Sequence, residues 1–376
     1  MNKIKILHIL DSLCIGGMEN LVIDICNNLD KSKYDICILC LSSDDLTQRS
    51  KLNKDIKLIS LQFSKEKIKS PLYLLTHSLE IAKEIRKESP LIVHTHIYQC
   101  RLSPLLLSIK IALKNFSHFH TIHTSGIHYN NNNPWHKIKL LIERVCYKYF
   151  KTNLIAVSDN VYEKCYPLLK NSYSLFMTIN NGVDLKKFDY NAFKKQNDDS
   201  FFNIIYVSRL HPGKNHNTLL KAVKLLSTKY SFIRLHIVGD GILHEEINQY
   251  IIDNKLSKYV TMHGNRLDVE TILSKCQLGV FPSEYEGLSI ALLEMMAMRL
   301  PIVCSDIPSF RNLLVDDKYA LFFNTFDYEN LAICIEKMLL FPNVREKYAQ
   351  ASYEIASRYS LSSMIINYEK FYTNIK

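Results

Sequence analysis

Residues 278–298 read LGVFPSEYEGLSIALLEMMAM, and this stretch decides the fold prediction. A short apolar run comes first, a polar turn follows, and the next apolar run is long enough for a helix over 288–298. The first amides of that helix, after Gly287, are unpaired donors that suit an anion or the oxygens of a sugar. The pattern therefore predicts a strand, a ligand-binding turn and a helix in succession.

Two glutamates frame this turn, because Glu286 precedes the predicted helix and Glu294 lies about two turns inside it. Eight helical residues span about 12 Å at 1.5 Å per residue. The paired carboxylates of glycoside hydrolases are only about 5 to 9.5 Å apart. The spacing therefore suits an extended ligand that is held at both ends. The alternative is a pair of solvated glutamates, but Glu294 lies in an apolar helix, where an unpaired charge is costly.

Outward from this stretch, short β-branched runs alternate with helical runs in both directions. A polar stretch at 190–199 separates two such series, and the chain looks helical after about Asp327. A chain of 376 residues accommodates two α/β domains with a helical tail. The predicted strands are Ile4–Leu10, Tyr34–Leu41, Ile56–Leu61, Leu91–His96, His118–His123, Asn153–Val157, Asn203–Ser208, Arg234–Gly239, Tyr259–His263, Leu278–Phe281 and Ile302–Cys304.

Composition indicates an ordinary globular protein of a reducing compartment. Hydrophobic residues make up 47% of the chain and charged residues 22%. Most of the 10 cysteines lie in apolar runs, and the close pair Cys37 and Cys40 has no second ligand pair nearby for zinc. We found no convincing secretory signal and no run of about 20 apolar residues. The expected location is the cytoplasm.

The positive charge is concentrated in the first half of the chain. Residues 1–190 carry 26 Lys and Arg against 17 Asp and Glu, whereas residues 191–376 carry 21 against 20. The first half therefore has a net charge of +9 and the second +1. Such a surface attracts an anionic membrane or a pyrophosphate lipid. Nucleic acid is not expected, since no nucleic-acid-binding pattern accompanies the charge.

Two further loops follow predicted strands. Arg209 and Lys214 lie in a loop that opens a helix, and paired cations there fit a diphosphate, although two basic residues in a loop are common. Gly16 and Gly17 follow the first strand and let a ligand approach the backbone closely. Neither the G-x-G-x-x-G dinucleotide fingerprint nor the ATPase phosphate loop is present, which disfavours nicotinamide cofactors and ATP.

Histidines and a basic helix each allow two interpretations. Six histidines between positions 94 and 128 invite a metal interpretation, but no carboxylate or cysteine completes a ligand set, so no metal is predicted. His118 and His120 would share one strand face, with His123 on the other. The helix predicted over 134–150 is either a domain helix with a solvated basic face or an interfacial helix on anionic lipid.

Taken together, these segments resemble family 4 of the retaining glycosyltransferases, glycosyl transferases group 1. The resemblance covers nearly the whole chain in the family's order, and the Glu286-x7-Glu294 segment is its most specific part. The other segments that carry it are Gly16 to Glu19, Thr121 to Thr124, Ala156 to Ser158, Asn181 to Asp184 with Phe188, Ser208 to Leu210 with Lys214 to His216, Val238 to Gly241, and His263 to Arg266.

The resemblance implies an α/β fold of the GT-B type, with two Rossmann-like domains facing each other across a cleft and a helical C-terminal tail. It places an acceptor-binding domain at 1–188, a donor-binding domain at 200–358, and a helix at 359–376 that crosses back to the first domain. The implied reaction is retaining, hexosyltransferase-type transfer of a sugar, from a UDP-sugar to a glycan or a polyprenyl-linked acceptor, in bacterial surface polysaccharide synthesis.

The resemblance also implies residue roles. Glu286 would bind the hydroxyls of the donor sugar, helped by the amides of Gly287, Leu288 and Ser289. Glu294 would bind the ribose. Arg209 and Lys214 would hold the pyrophosphate and stabilise the leaving UDP. The other implied donor-site residues are Gly16, Gly17, Gly239, Asn265 and Arg266.

Catalysis is assigned to His123, Glu286, Arg209 and Lys214, with His123 next to the reacting carbon, and no cofactor or metal is expected. The basic first domain would bind the acceptor, and contact with the inner face of the cytoplasmic membrane is expected there. Two alternatives stay open at this point. One is a nucleotide-sugar epimerase of the same fold, and the other is a non-catalytic nucleotide-sugar binder.

Overall fold

A computed structural model describes residues 3–97, 101–124, 134–193, 200–314 and 317–373. The chain forms two compact units. Unit 1 comprises Met1–Asn181 together with Ser362–Lys376, and unit 2 comprises Gly182–Leu361. The chain therefore passes from unit 1 to unit 2 after Asn181 and returns after Leu361.

Unit 1 is built on a seven-stranded sheet in the order β3-β2-β1-β4-β5-β6-β7. Every paired strand runs parallel to its neighbour. The order reverses between β1 and β4, which makes their carboxyl ends the switch point of this sheet. The strands are β1 Ile4–Leu10, β2 Tyr34–Ser42, β3 Lys57–Phe63, β4 Ile92–Thr95, β5 Ser117–Ile122, β6 Asn153–Ala156 and β7 Phe176–Thr178.

Helices connect these strands and cover the sheet. They are α1 Gly17–Asn28, α2 Leu46–Arg49, α3 Pro71–Thr76, α4 Ser78–Glu88, α5 Leu102–Ala112, α6 Pro134–Tyr149 and α7 Asp159–Leu169. Because helices cover both faces, the central strands read as continuous apolar runs, and Ile6, Leu7, Ile9 and Leu10 have no exposed surface.

Unit 2 repeats the architecture with six parallel strands in the order β10-β9-β8-β11-β12-β13. Its order reverses between β8 and β11, which pair directly through Leu278 and Ile204. The strands are β8 Phe202–Val207, β9 Ile233–Val238, β10 Val260–Met262, β11 Leu278–Phe281, β12 Ile302–Ser305 and β13 Leu321–Phe323. The helices are α8 His216–Ser227, α9 His244–Asp253, α10 Val269–Leu273, α11 Ile290–Ala297, α12 Pro308–Leu313, α13 Tyr328–Leu340 and α14 Pro342–Arg358.

The last helix, α15 (Leu361–Thr373), packs on unit 1 through aromatic residues. The rings of Phe371 and Tyr372 meet Phe119 of β5 edge to face, at centroid distances of 5.3 and 5.0 Å. Tyr372 also hydrogen-bonds His94 through its hydroxyl, at 2.6 Å. These buried contacts fasten the end of the chain to the unit that contains its beginning.

The predicted two-series α/β organisation is confirmed, and the predicted strands end within about two residues of the observed ones. Sequence reasoning missed β7 and β13, two edge strands of three residues each, which are too short to show a period. Within the described ranges, no helix is both long and apolar enough to cross a membrane.

Candidate active site

The switch point of unit 2 brings together the two loops that sequence analysis singled out. β8 leads into the loop that contains Arg209 and Lys214, and β11 leads into the loop that contains Glu286. Because β8 and β11 are neighbouring parallel strands, both loops leave the same edge of the sheet side by side.

A part-buried ion pair joins these loops. The Nζ of Lys214 lies 2.5 Å from Oε1 of Glu286, and the two side chains are 20% and 10% exposed. The Ser283 hydroxyl donates a second hydrogen bond to the same oxygen at 2.8 Å. A charge-assisted pair of this burial holds both groups in one geometry, whereas an exposed pair would be screened by water.

The backbone around Lys214 is held by a buried amide and a buried phenol. Asn215 adopts a left-handed conformation with φ of 52°, and its Nδ2 donates to the carbonyl oxygens of Pro282 and Thr325 at 3.1 and 2.7 Å. The Tyr206 hydroxyl donates to the Lys214 carbonyl at 2.9 Å, and it lies 3.1 Å from the Ser283 hydroxyl. Burial raises the pKa of Tyr206, so its proton stays available for these bonds.

Close approach of the two loops requires a glycine. A Cβ on Gly213 would lie 2.6 Å from ring atoms of Tyr285, so the aromatic ring covers the position where a side chain would stand. The Glu284 amide donates to the Gly213 carbonyl at 3.0 Å. The loops therefore form one rigid unit rather than two independent segments.

Helix α11 begins later than the sequence pattern indicated. Its first residue is Ile290, not Leu288, and the side chain of Ser289 caps it by accepting from the Leu292 amide at 3.4 Å. Gly287 and Leu288 consequently belong to the loop. Glu294 lies half-buried in the middle of the helix, while Arg209 is exposed just past the end of β8.

The remaining predicted donor-site residues of unit 2 follow β9 and β10. Gly239 comes directly after β9, and its amide donates to the Gly264 carbonyl at 2.8 Å. Asn265 and Arg266 are exposed in the loop after β10, an edge strand two positions from β8. The guanidinium of Arg266 is occupied by Asp268 in a two-point ion pair of 2.8 and 2.7 Å. The charge of Arg266 is therefore paired within its own loop.

Gly16 and Gly17 lie at the start of α1, after the first strand of unit 1. Gly16 is the N-cap residue, and a side chain there would overlap the carboxylate of Glu19. A Cβ on Gly17, in contrast, would meet no atom within 4 Å. Packing inside the protein therefore does not explain the absence of a side chain at Gly17, and the backbone is open to a ligand there.

His123 ends a hydrogen-bonded row of three imidazoles. His8 Nδ1 lies 3.0 Å from His96 Nε2, and His96 Nδ1 lies 3.3 Å from His123 Nε2. Burial lowers the pKa of His8 to about 3 and that of His123 to about 4, and it holds the pKa of His96 well below its usual range. All three rings are therefore neutral at neutral pH.

The hydrogen bonds in a row of neutral imidazoles must all run the same way, because each ring offers one donor and one acceptor. His8 Nε2 is buried and finds no hydrogen-bond partner among the described residues. A buried lone pair without a partner costs less than a buried N–H without one, so His8 carries its proton on Nδ1. His96 then accepts at Nε2 and donates from Nδ1. His123 consequently accepts at Nε2 and carries its proton on Nδ1.

The histidine cluster was also the candidate for a metal, and its hydrogen bonds argue against that use. The nitrogens of His8, His94 and His96 lie within 4.8 Å of one another. One ring nitrogen of His94 hydrogen-bonds Tyr372 and the other hydrogen-bonds Thr121 at 2.7 Å, so both nitrogens are already occupied. His118 and His120 both bond to Thr95, which confirms that they share a strand face. His128 lies outside the described residues.

Sequence reasoning missed the residues that hold the site together. These residues are Tyr206, Ser283, Asn215 and Tyr285, which lie in or beside the named motifs. Nothing in their pattern predicted contacts across 67 to 77 positions of the chain. His8 was missed because it lies inside the first strand, where a polar residue on a buried face was the only available signal.

Comparison with known proteins defines the class. Residues 15–187 match the model of glycosyltransferase family 4, and residues 188–355 match that of glycosyl transferases group 1. The two matches follow each other along the chain and correspond closely to the two units. The chain belongs to the family 4, group 1 glycosyltransferases and is a glycosyltransferase of the GT-B fold.

Individual relatives make lipid-linked glycans or bind UDP. An Escherichia coli UDP-Gal:alpha-D-GlcNAc-diphosphoundecaprenol alpha-1,3-galactosyltransferase is 26% identical over 85% of this chain and 83% of its own. A Campylobacter jejuni alpha-N-acetylgalactosaminyltransferase that acts on a diphospho-undecaprenol acceptor is 30% identical over 45% of each chain. The Anabaena protein HepE, crystallised with UDP and glucose, has a TM-score of 0.78 at 18% identity, covering 99% of this chain and 100% of its own.

Proposed function

We propose that this glycosyltransferase moves a sugar from a UDP-sugar to a lipid-linked glycan acceptor with retention of anomeric configuration. The observation that carries the proposal is the Lys214–Glu286 ion pair at the switch point of unit 2. It provides a cation and a carboxylate side by side in a part-buried site, as a ligand with a diphosphate at one end and sugar hydroxyls at the other requires.

Different residues bind different parts of the UDP-sugar. Lys214 and Arg209 bind the pyrophosphate and stabilise the negative charge that develops on departing UDP. Glu286 accepts hydrogen bonds from hydroxyls of the donor sugar, next to the backbone of Gly287, Leu288 and Ser289. When the donor binds, the Lys214 ammonium bridges the phosphate and Glu286, so the apo ion pair already places both groups.

Uridine recognition falls to residues farther from the reacting bond. Glu294, half-buried in α11, accepts from the ribose hydroxyls. Gly239, Asn265 and Arg266 border the nucleotide at the carboxyl ends of β9 and β10, and Arg266 exchanges part of its pairing with Asp268 for the ligand. In unit 1, the open backbone at Gly16 and Gly17 suits the close approach of a phosphate.

The proposed chemical step uses neither a cofactor nor a metal. The bond between the anomeric carbon and the β-phosphate oxygen of UDP breaks, and the acceptor oxygen bonds to that carbon on the same face. The acceptor proton passes to the departing phosphate oxygen, and the two cations stabilise the charge there. Positioning and electrostatics provide the catalysis.

His123 lies beside the reacting carbon in this proposal. Its lowered pKa supports a neutral ring, which positions the sugar through a hydrogen bond without repelling the positive charge that develops on the sugar ring. The row from His8 through His96 sets which nitrogen of His123 carries the proton.

The proposed acceptor is a glycan linked to a polyprenyl diphosphate. The diphospho-undecaprenol acceptors named for two relatives support a polyprenyl-linked glycan of a bacterial surface polysaccharide. Such an acceptor is confined to a bilayer. We therefore place the enzyme at the inner face of the cytoplasmic membrane, with the basic unit 1 toward the lipid.

Thermal unfolding of the purified protein with UDP, GDP, ADP, NAD and a panel of UDP-sugars tests the donor assignment. A ligand that binds only the folded state raises its stability with the logarithm of ligand concentration over Kd. We expect a shift that is selective for uridine nucleotides and is reduced in Glu294→Ala. Exposed Glu284 provides the matched control, because Glu284→Ala should keep the full shift. A preference for NAD, or no shift with any uridine ligand, would contradict the donor site.

A further inference from the structure

Helix α6 exposes a continuous apolar stripe on the surface of unit 1. We propose that this stripe inserts into the headgroup region of an anionic lipid bilayer and docks the enzyme on it. The α6 stripe consists of Trp135, Ile138, Leu141, Ile142, Val145 and Tyr149. Their exposed fractions run from 47% to 69%, which is unusual for large apolar side chains that share one helix.

The stripe is contiguous because of the helical period. At about 100° per residue, its six members fall within an arc of about 120° on one side of α6. Trp135 lies near the start of the helix and Tyr149 at its end, so the stripe extends along the whole 16-residue helix. A stripe of this width and length matches the apolar face of an interfacial helix.

The inward side of α6 explains why the apolar side faces out. Glu143 and Tyr147 are 5% and 0% exposed, and the Tyr147 hydroxyl donates to Glu143 Oε1 at 2.5 Å. This bond lies within the helix, and α6 packs on unit 1 through Tyr147, which belongs to the hydrophobic core, and through Leu140 and Cys146 beside it. The basic side chains of α6 are exposed, as the interpretation of a solvated basic face expects, and an exposed apolar side lies between them.

The charges beside the stripe indicate the partner. Lys137, Arg144 and Lys148 lie along one margin of the stripe and Lys139 along the other, and all four are exposed. The helix contains a single acid, Glu143, and that residue is buried. Apolar side chains between two basic margins complement acyl chains beneath negatively charged headgroups.

A second copy of this chain fits the stripe less well. Two α6 helices packed face to face by a two-fold axis would bring basic margins together without an exposed acid on either helix to compensate. An anionic bilayer satisfies the charges and the apolar side chains at once. The net charge of +9 in residues 1–190 adds long-range attraction to such a surface.

This inference deepens the proposed function, on which it rests only for its biological purpose of reaching a lipid-linked acceptor. Lipid binding itself needs neither donor nor acceptor. A protein that binds UDP but not vesicles would contradict the α6 surface alone, and one that binds vesicles but not UDP would contradict the donor site alone.

The protein contains one tryptophan, and it lies in the stripe. Emission of Trp135 in the native full-length protein therefore reports on this surface without labelling. We expect a blue shift on vesicles of phosphatidylcholine with phosphatidylglycerol, and quenching when their acyl chains carry bromine. Phosphatidylcholine alone should produce little change. An unshifted and unquenched Trp135 on vesicles that sediment with the protein would overturn the proposal.

Paired substitutions separate the two components of binding by cosedimentation. Leu141→Gln with Val145→Gln should weaken partitioning by on the order of tenfold or more, because two apolar side chains no longer enter the bilayer. Changing Lys137, Arg144 and Lys148 together to Gln should weaken it by about a hundredfold at low salt. All these side chains are exposed, so the UDP-induced thermal shift should be unchanged and reports folding.

Another exposed apolar pair of unit 1 serves as the matched control. Leu72 and Leu79, on α3 and α4, are 68% and 72% exposed, and changing both to Gln should leave vesicle binding intact. Equal release by this control would assign binding to general surface hydrophobicity and overturn the role of α6. Concentration-dependent dimers that the Leu141 and Val145 changes abolish, without any vesicle binding, would instead support a second copy as the occupant.

Discussion

The two units share a strand order around the switch point, and each places an ion pair there, but unit 1 adds a row of neutral imidazoles. In unit 2, the loops after β8 and β11 meet in a Lys214–Glu286 ion pair. In unit 1, the strand ends carry neutral imidazoles, with His96 after β4 and His123 after β5. Asp11, directly after β1, also pairs with Arg101 at 2.7 Å. The side chains at the strand ends therefore decide whether the shared architecture carries an ion pair alone or an ion pair together with neutral imidazoles.

The Lys214–Glu286 pair and the unit 1 histidines differ in charge because different groups surround them. The carboxylate of Glu286 lies in a part-buried site, where an ammonium and a hydroxyl both donate hydrogen bonds to it. The unit 1 histidines meet only each other and neutral hydroxyls, so burial removes their charge. The two sets of side chains therefore differ in charge because the groups that surround them differ.

Glu286→Ala should produce the largest effect, a fall in transfer rate of about a thousandfold. The Lys214 ammonium remains for the pyrophosphate, so the Kd for UDP should change little. Steady-state transfer assays and calorimetric titration with UDP measure the two quantities separately. The same experiments on Glu284→Ala, two residues earlier and exposed, should match the unchanged protein. Equal loss of UDP binding and of transfer in Glu286→Ala would contradict the division of roles.

Lys214→Ala should weaken UDP binding itself, by about ten- to a hundredfold, since a charge-assisted hydrogen bond to phosphate is lost. It also leaves Glu286 with only the Ser283 hydroxyl, so the unfolding temperature should fall even without ligand. Lys221→Ala, an exposed change on α8, is the control for charge alone. Unaltered UDP affinity in Lys214→Ala would mean that the ion pair serves the fold and not the ligand.

Mild acid should destabilise unit 1 before unit 2. Among the described residues, unit 1 contains more almost fully buried histidines than unit 2. They are His8, His94, His96, His118 and His120 in unit 1, and His216 in unit 2. The folded-state pKa of His8 and His120 is lowered to about 3, below the unfolded value of 6.5. The unfolded state therefore binds more protons, and stability present above pH 6.5 is lost as the pH falls toward 3.

Each such ring lowers the unfolding free energy by roughly 1.4 kcal/mol per pH unit over that range. Hydrogen exchange of the whole protein, followed by mass spectrometry at pH 7.5 and 5.5 and corrected for the intrinsic rates, measures the loss unit by unit. Exchange in β1, β4 and β5 should accelerate more than exchange in β8 and β11. A uniform response of the two sheets would refute the contrast.

Two glycines should show the smallest and most discriminating effects. Gly213→Ala pushes against the Tyr285 ring and should destabilise unit 2 by about 1 to 2 kcal/mol. Gly17→Ala meets no atom within 4 Å, so the unfolding temperature should not change, while KM for the donor should rise. Combining Gly213→Ala with Tyr285→Ala should recover much of the lost stability. If Gly17→Ala left KM unaltered, the open backbone of unit 1 would not border the ligand.

The order of the elements was predictable from the sequence. Residues 278–298 already contained the strand, the turn and the helix, because apolar periodicity and turn residues are local signals. The predictions of secondary structure were wrong where these local signals are absent or insufficient. Three-residue strands show no period, and the start of α11 at Ile290 depended on the cap that Ser289 provides.

Only the tertiary structure decided which of these residues meet. The partners Lys214 and Glu286 are 72 positions apart, and His8 and His96 are 88 apart, so their pairing depends on strand order rather than on local pattern. The outward side of α6 was decided in the same way. Tyr147 lies in the hydrophobic core of unit 1, with Leu140 and Cys146 packed against that core, so the apolar stripe on the other side of the helix stays exposed. The two faces of a helix follow from its local sequence, but tertiary packing determines which face is buried.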